Sequence, residues 1–256
     1  MKLHIAAAAA LLCLGRAASA QSAADAIARG DSATAALNAT SALADYQAAI
    51  KLDSTNAEAL WKAAREAVDL GEAAGFENQD HARDSLYKIA EQYATRAVQA
   101  NPNVAVTHFT LAKALGRAAL AVGGRDRVKY AKRVRQEALA ALKLDSLDDG
   151  AWHVMGEWNA EIMRLNGFMR FFAKTLLGGQ VLGEANWASA QRDLEHAVAL
   201  QPTRIVHHLD LGQVYADVGD KAKAREQFEL VLKLPATEYN DKYYKRQAEQ
   251  ELAKLQ

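Results

Sequence analysis

The chain has 256 residues, with 31 Lys plus Arg balanced by 31 Asp plus Glu, and only 15 Gly, 3 Pro and 1 Cys. The length allows a sizeable buried core, and so few Pro and Gly exclude a sandwich or propeller built on frequent turns. Zero formal net charge removes the broad electrostatic reason to expect nucleic acid, and one Cys cannot close an internal disulfide.

Met1 to Ala20 contains no acid. Lys2 and His4 come first, Ile5 to Leu14 is apolar, and Ala18-Ser19-Ala20 precedes Gln21. That order predicts a secretory signal cleaved after Ala20; its apolar run is too short to span a bilayer. A lipoprotein anchor at Cys13 is opposed by the bulky Leu12 before it. A mitochondrial presequence is the alternative, since the segment is Ala-rich with Arg16, but it is poor in Arg and Ser. The expected destination is export to the periplasm. Removing Lys2 and Arg16 from the 31 basic residues leaves 29 against 31 acids, a net of −2, and removes the cysteine. No second long apolar run follows, so no transmembrane segment is expected in the mature chain. Residues 21–256 are expected to form a single domain.

Beyond the signal, two kinds of helix alternate. Ala49-Ile-Lys-Leu-Asp-Ser54 closes one, and its relatives are Ala97-Val-Gln-Ala-Asn-Pro102, Ala141-Leu-Lys-Leu-Asp-Ser146, Ala197-Val-Ala-Leu-Gln-Pro202 and Val231-Leu-Lys-Leu-Pro235. The helix ending at Val98 places Ala82, Leu86, Ile89, Ala90, Tyr93, Ala94 and Ala97 on one apolar stripe by steps of three and four. Helices of the second kind are predicted at Asn56–Leu70, Val104–Ala121, Asp149–Leu165 and Arg204–Val218. A lone antiparallel pair cannot bury its face, so neighbouring pairs must stack into an all-α solenoid. The closing positions 49, 97, 141, 197 and 231 are spaced by 48, 44, 56 and 34, against the ~34 of a regular repeat. The surplus is expected as insertions near 71–80 and 166–185, with a smaller one near Gly123-Gly124. Thr237 to Gln256, with Tyr244, Ala248, Leu252 and Leu255 on one stripe, is predicted to be a capping helix.

From Ile205 to Pro235 the chain resembles a tetratricopeptide repeat (TPR). Leu211-Gly212 and Tyr215 fall on its first helix, Gly219-Asp220 on the turn, and Ala224, Phe228 and Val231 on the second helix. Small residues such as Gly212 and Ala224 sit where paired helices come closest. Ala190, Leu194, Ala197 and Pro202 repeat the offsets one unit earlier. The resemblance implies a TPR-like α-α superhelix, a right-handed solenoid with a C-terminal cap. The irregular spacing, together with Trp152-x-x-Met155-Gly156-x-Trp158 and the following Phe168–Lys174 stretch, resembles the regulator of microtubule dynamics family over roughly residues 40–256. Family members are adaptors at microtubules or organelle contacts. For an exported bacterial chain, only the fold and an interaction role carry over.

No catalytic, cofactor or metal motif is legible. Adjacent His207 and His208 point about 100° apart on a helix and cannot chelate one ion as an i, i+4 pair can. No His-Glu-x-x-His occurs, and the glycine pairs at 123 and 178 lack the Lys-Ser/Thr that would hold phosphate and magnesium. The histidines read as packing or solvated residues, and no enzyme activity or cofactor is expected. Arg125, Arg127, Lys129, Lys132, Arg133 and Arg135 cluster at one helix start, where Val128, Ala131, Val134 and Ala138 supply the buried stripe, so the basic face reads as solvated. Few aromatics interleave it, so nucleic acid is not an expected partner.

Registering the units on the best repeat places Trp61, Arg65, Phe109, Lys113, Arg117, His153, Glu157, Glu161, Leu209 and Gln213 on the concave side, where solenoids bind extended partners. That groove is expected to be basic in its N-terminal part and acidic in the middle. Such a mixed surface suits a protein or peptide with both charges. The expected function is therefore a non-enzymatic exported adaptor. The alternative is a carrier or sensor of a hydrophobic small molecule or lipid, using the apolar insert Met163–Leu182.

Overall fold

The computed structural model describes residues 22–167, 170, 171, 175 and 180–256. Eleven α-helices have both ends among the described residues: α1 (Ala23–Ala35), α2 (Ala39–Leu52), α3 (Ala57–Phe76), α4 (Asp80–Ala100), α5 (Ala105–Ala118), α6 (Gly124–Leu144), α7 (Asp149–Arg164), α8 (Trp187–Leu200), α9 (Ile205–Asp217), α10 (Lys221–Lys233) and α11 (Asp241–Lys254). Among the described residues there is no strand. The helices pack as successive pairs, α1 with α2 through α9 with α10, and each pair rests on the next. The first helices of adjacent pairs, α3, α5, α7 and α9, also touch one another. This is the TPR-like superhelix that the repeat pattern predicts.

Helix ends follow from local chemistry. Ser22 and Asp25 form a reciprocal capping box on α1, and the side chains of Asn38, Asn56, Asp148, Asn186 and Asp220 cap later helices. The recurring closing segment is a helix end followed by a side-chain-to-backbone turn. Asp53, Asn101 and Asp145 accept from the amides two residues on, at 3.1, 3.3 and 2.9 Å. Its leading alanines, Ala49, Ala97, Ala141 and Ala197, are each fully buried. The following helix then ties itself back to this turn six residues upstream. His108 donates to the Pro102 carbonyl, Trp152 to that of Ser146 and His208 to that of Pro202, each at 2.9 Å. His108, Trp152 and His208 thus fill one repeated position.

Within a pair, glycine admits a large partner. A Cβ on Gly212 would lie 2.6 Å from the Phe228 ring, and one on Gly30 would lie 2.4 Å from Tyr46. Phe228 and Tyr46 are both fully buried, so these rings fill the space that the missing side chains leave.

Four features differ from the pattern read in sequence. First, α1 completes the first pair; its sparse apolar content, with only Ala26, Ile27 and Gly30 buried, hid it. Second, residues 71–76 continue α3 to Phe76, and α3, α4 and α6 run 20, 21 and 21 residues against 13 for α9 and α10. Much of the surplus spacing is longer helix. Third, α11 packs on α9 and α10 and also reaches back to α3. Fourth, of the apolar insert, Leu182 is buried and Phe171 is 63% exposed. Phe168, Met169, Phe172, Leu176 and Leu177 lie outside the described residues, as do residues 1–20, where a signal was expected. No described helix is long and apolar enough to cross a membrane.

A candidate binding groove on the first helices

The candidate site is a band of polar side chains from the C-terminal halves of α3 and α5, the length of α7 and the start of α9. Asp69 and Glu72 on α3 face Lys113 and Arg117 on α5, at 3.2 Å for Asp69–Lys113 and 2.6 Å for Glu72–Arg117. The expected basic portion is therefore neutralised by acids that the repeat register does not single out. Glu72 also accepts from Asn240 at 2.9 Å and from the Tyr244 hydroxyl at 2.7 Å. Burial opposes its ionisation, but Arg117, Lys113 and those two hydrogen bonds outweigh it and hold Glu72 down at about 2. Asp69 goes the other way. Burial, reinforced by Glu72 and Glu66 and partly offset by Lys113, pushes it up to about 6.

The α7 stretch is acidic and incompletely neutralised. One oxygen of Glu157, Oε1, is buried without a hydrogen-bond partner among the described residues. Arg164 stands 3.8 Å from the other oxygen and divides its contacts with Glu161 at 2.7 Å and Asp217 at 2.9 Å. Burial and the neighbouring Asp210 raise Glu157 well above the usual carboxylate range. Asp210 itself is pushed to about 7 by burial, with Glu72 and Glu161 adding to it and Arg117 and Arg164 opposing. Two carboxyl groups held near neutral charge in one groove form a site that a cation would re-ionise.

Between α7 and α9 lies a line of four side chains. His153 Nε2 is 3.1 Å from Asp210, His153 Nδ1 is 2.9 Å from His207 Nδ1, and His207 Nε2 is 2.7 Å from Asp149. Arg204 pairs with Asp149 at 2.8 Å and with Glu238 at 2.8 Å. Burial first, then Arg204, Arg117 and Lys113, holds His153 at about 3; burial likewise lowers His207 to about 3 against the pull of Asp149. His208 faces away, towards Gln227 and Pro202, so the two adjacent histidines do point to different partners. Among the described residues, no three His, Cys, Asp or Glu side chains are placed to hold a metal ion.

The structure brings Lys113, Arg117, His153 and Glu157 into one polar band. Gln213 is half-buried, on α9, while Glu161 is exposed and tied to Arg164. Leu209 is 1% exposed and belongs to the core, where no partner can reach it. Phe109 is packed against α7, since a Cβ on Gly150 would stand 2.5 Å from its ring. Arg65 is turned towards α1, 3.5 Å from the Thr34 hydroxyl, and bonds Glu66, which also accepts from Thr34; its guanidinium lies 5.4 Å from the Trp61 ring centre. Residues missed in sequence are Asp69, Glu72, Asp149, Arg204, His207, Asp210, Asn240 and Tyr244. Asp69 and Glu72 were within reach, because they follow Arg65 by four and seven on the same stripe.

The basic start of α6 is largely spent internally. Arg127 bonds the carbonyls of Ala119 and Val122, Lys129 pairs with Asp126, Arg133 with Glu91, and Arg135 with Glu184. Val128, Val134 and Ala138 are buried beneath them, as expected of a polar face over an apolar stripe.

Comparison with known proteins agrees with this architecture. A thermophilic TPR protein of Thermus thermophilus superposes with a TM-score of 0.61 at 17% identity, over 90% of this chain and 100% of that one. The structure of PilF from Pseudomonas aeruginosa gives 0.52 at 13% identity, over 91% and 88%. Such distant likenesses show the fold alone. In sequence, regulator of microtubule dynamics protein 1 from Bos taurus is 26% identical over 124 residues, 48% of this chain and 38% of the bovine protein. The chain thus matches well under half the length of that relative. The family model described as regulator of microtubule dynamics protein 1-3 matches residues 22–256, including the α1 helix that the apolar pattern does not reveal. The chain belongs to the regulator of microtubule dynamics protein 1-3 family.

Proposed function

We propose that the chain is a non-enzymatic adaptor that holds a segment of a partner polypeptide along the polar band of α3, α5, α7 and α9. The observation that carries this reading is the imbalance at α7. Lys113 and Arg117 are neutralised by Asp69 and Glu72, whereas Glu157 keeps a buried oxygen without a partner among the described residues and Asp210 stands beside it. A basic side chain of the partner supplies the missing positive charge, and the ion pairs around it fix register more than affinity. The bovine relative is named for the regulation of microtubule dynamics, an activity exerted on a protein assembly. A polypeptide is the class of partner this groove suits.

A displayed library of random short peptides, selected on mature protein, tests the reading. The selected sequences should share a basic residue, and Glu157→Lys should abolish their binding. If nothing is enriched, or if the enriched peptides bind Glu157→Lys and Lys113→Glu as well as the parent, the groove is not the binding surface. We further propose export by residues 1–20; the mature protein recovered from the periplasm should then begin at Gln21, whereas a mitochondrial form would be cleaved elsewhere.

A further inference from the structure

The line Asp210–His153–His207–Asp149 obeys a proton count. Asp149 is ionised, because Arg204 and His207 hold it below the usual carboxylate range despite burial. It accepts, so His207 Nε2 carries a hydrogen and donates across 2.7 Å. A neutral His207 then has a bare Nδ1, and the 2.9 Å contact requires His153 Nδ1 to donate to it. That leaves His153 Nε2 without a hydrogen, 3.1 Å from an oxygen of Asp210. Two lone pairs face each other there unless a third proton is present.

The surroundings place that proton on Asp210. A cationic His153 is opposed by Arg204 from the start of α9 and by Lys113 and Arg117 from α5. An ionised Asp210 is opposed by burial, by Glu72 of α3 and by Glu161 of α7, with Arg117 and Arg164 on the other side. Glu157 of α7 lies beside it as well, and Glu238, before α11, holds the other side of Arg204. We infer that these four side chains form a proton-loaded clasp between α7 and α9, complete with three shared protons and broken when Asp210 loses its own. Without that proton a carboxylate faces a bare imidazole nitrogen among Glu157, Glu161 and Glu72. Restoring the contact then needs His153 to change tautomer, which in turn sets its Nδ1 lone pair against that of His207. Either way one link of the clasp is lost, and α7 and α9 are freed to shift across the groove.

Histidine tautomers in ¹⁵N-labelled mature protein, followed by NMR through a pH titration, test the clasp. Below neutrality His153 should be the Nδ1–H tautomer and His207 the Nε2–H tautomer, both neutral. As pH rises through neutrality the His153 Nε2 signal should shift in one step, because its hydrogen bond from Asp210 is lost whether the contact opens or the tautomer switches; an Nε2 signal unchanged across that range contradicts the clasp. Asp210→Asn, whose amide N–H can donate to His153 Nε2 without titrating, should keep both tautomers across the whole range. If both histidines are Nε2–H throughout, or if either is doubly protonated below neutrality, the clasp does not exist. The wild-type titration decides the matter even if the variant fails to fold, and its outcome is independent of peptide binding.

Discussion

The Tyr244 hydroxyl donates to Glu72 across 2.7 Å, although the two residues lie 172 positions apart in sequence. This bond fastens the last helix to the second helix pair. Asn240, at the start of α11, reinforces it with bonds of 2.9 Å to Glu72 and 3.0 Å to the Asp69 carbonyl, and Phe76 stacks on Tyr243 with ring centres 5.0 Å apart. A helix that only sealed the end of the solenoid would touch α9 and α10. By reaching α3, α11 ties the second helix pair to the end of the superhelix.

Removing the Tyr244 hydroxyl measures this tie. Tyr244→Phe keeps the ring in place but takes a donor from a buried, ionised carboxylate, which should cost about 2 kcal/mol in urea denaturation. Tyr243→Phe should cost less, because its acceptor Glu77 is exposed and can bind water instead. Equal effects would mean that the Tyr244 bond is no more than a surface contact.

The groove acids predict an unusual pH profile. Glu72, held at about 2, contributes stability that is present above its ordinary value and lost as pH falls through about 2. Asp69 and Asp210, raised to about 6 and about 7, contribute stability that is full below their ordinary values and lost as pH rises through those points. His153 and His207, held at about 3, oppose this loss below their ordinary value of 6.5, so the thermal midpoint should fall between there and pH 8, and Asp210→Asn should flatten that fall. A midpoint rising steadily from pH 5 to pH 8 would contradict these assignments.

Two glycines should respond in opposite directions. Gly212→Ala drives a methyl into the Phe228 ring and should destabilise the fold by about 1–3 kcal/mol. At Gly116, inside α5, a methyl would meet no neighbour within 4 Å. Gly116→Ala should therefore stabilise the protein by about 0.5–1 kcal/mol through helix propensity. Chemical denaturation of the two variants reads both signs.

The repeat was legible because its physical cause is local. The alanines at 49, 97, 141 and 197 are buried in the same way, and the turn after the first three follows from an Asp or Asn at one offset. The groove was only half legible. Lys113, Arg117, His153 and Glu157 could be registered from the repeat, but Leu209 shares their face and is core. Glu72 was hidden because the expected insertion began at Gly71, whereas Gly71 is the close-approach residue for Tyr87 inside a continuous helix; Asp69 lay within the predicted helix and was passed over. The partnership of α11 with α3 had no sequence signal. It depends on how tightly the whole solenoid winds, which no local pattern encodes.

A charge exchange across the groove tests the central claim most directly. In a peptide selected on the mature protein, its shared basic residue is replaced by Glu, and binding is measured to the parent and to Glu157→Lys. The groove account predicts that the altered peptide loses binding to the parent and regains it with Glu157→Lys, while the original peptide shows the reverse. If the altered peptide binds neither protein, or if both peptides ignore the Glu157→Lys change, the partner is not seated at α7 and the account is contradicted.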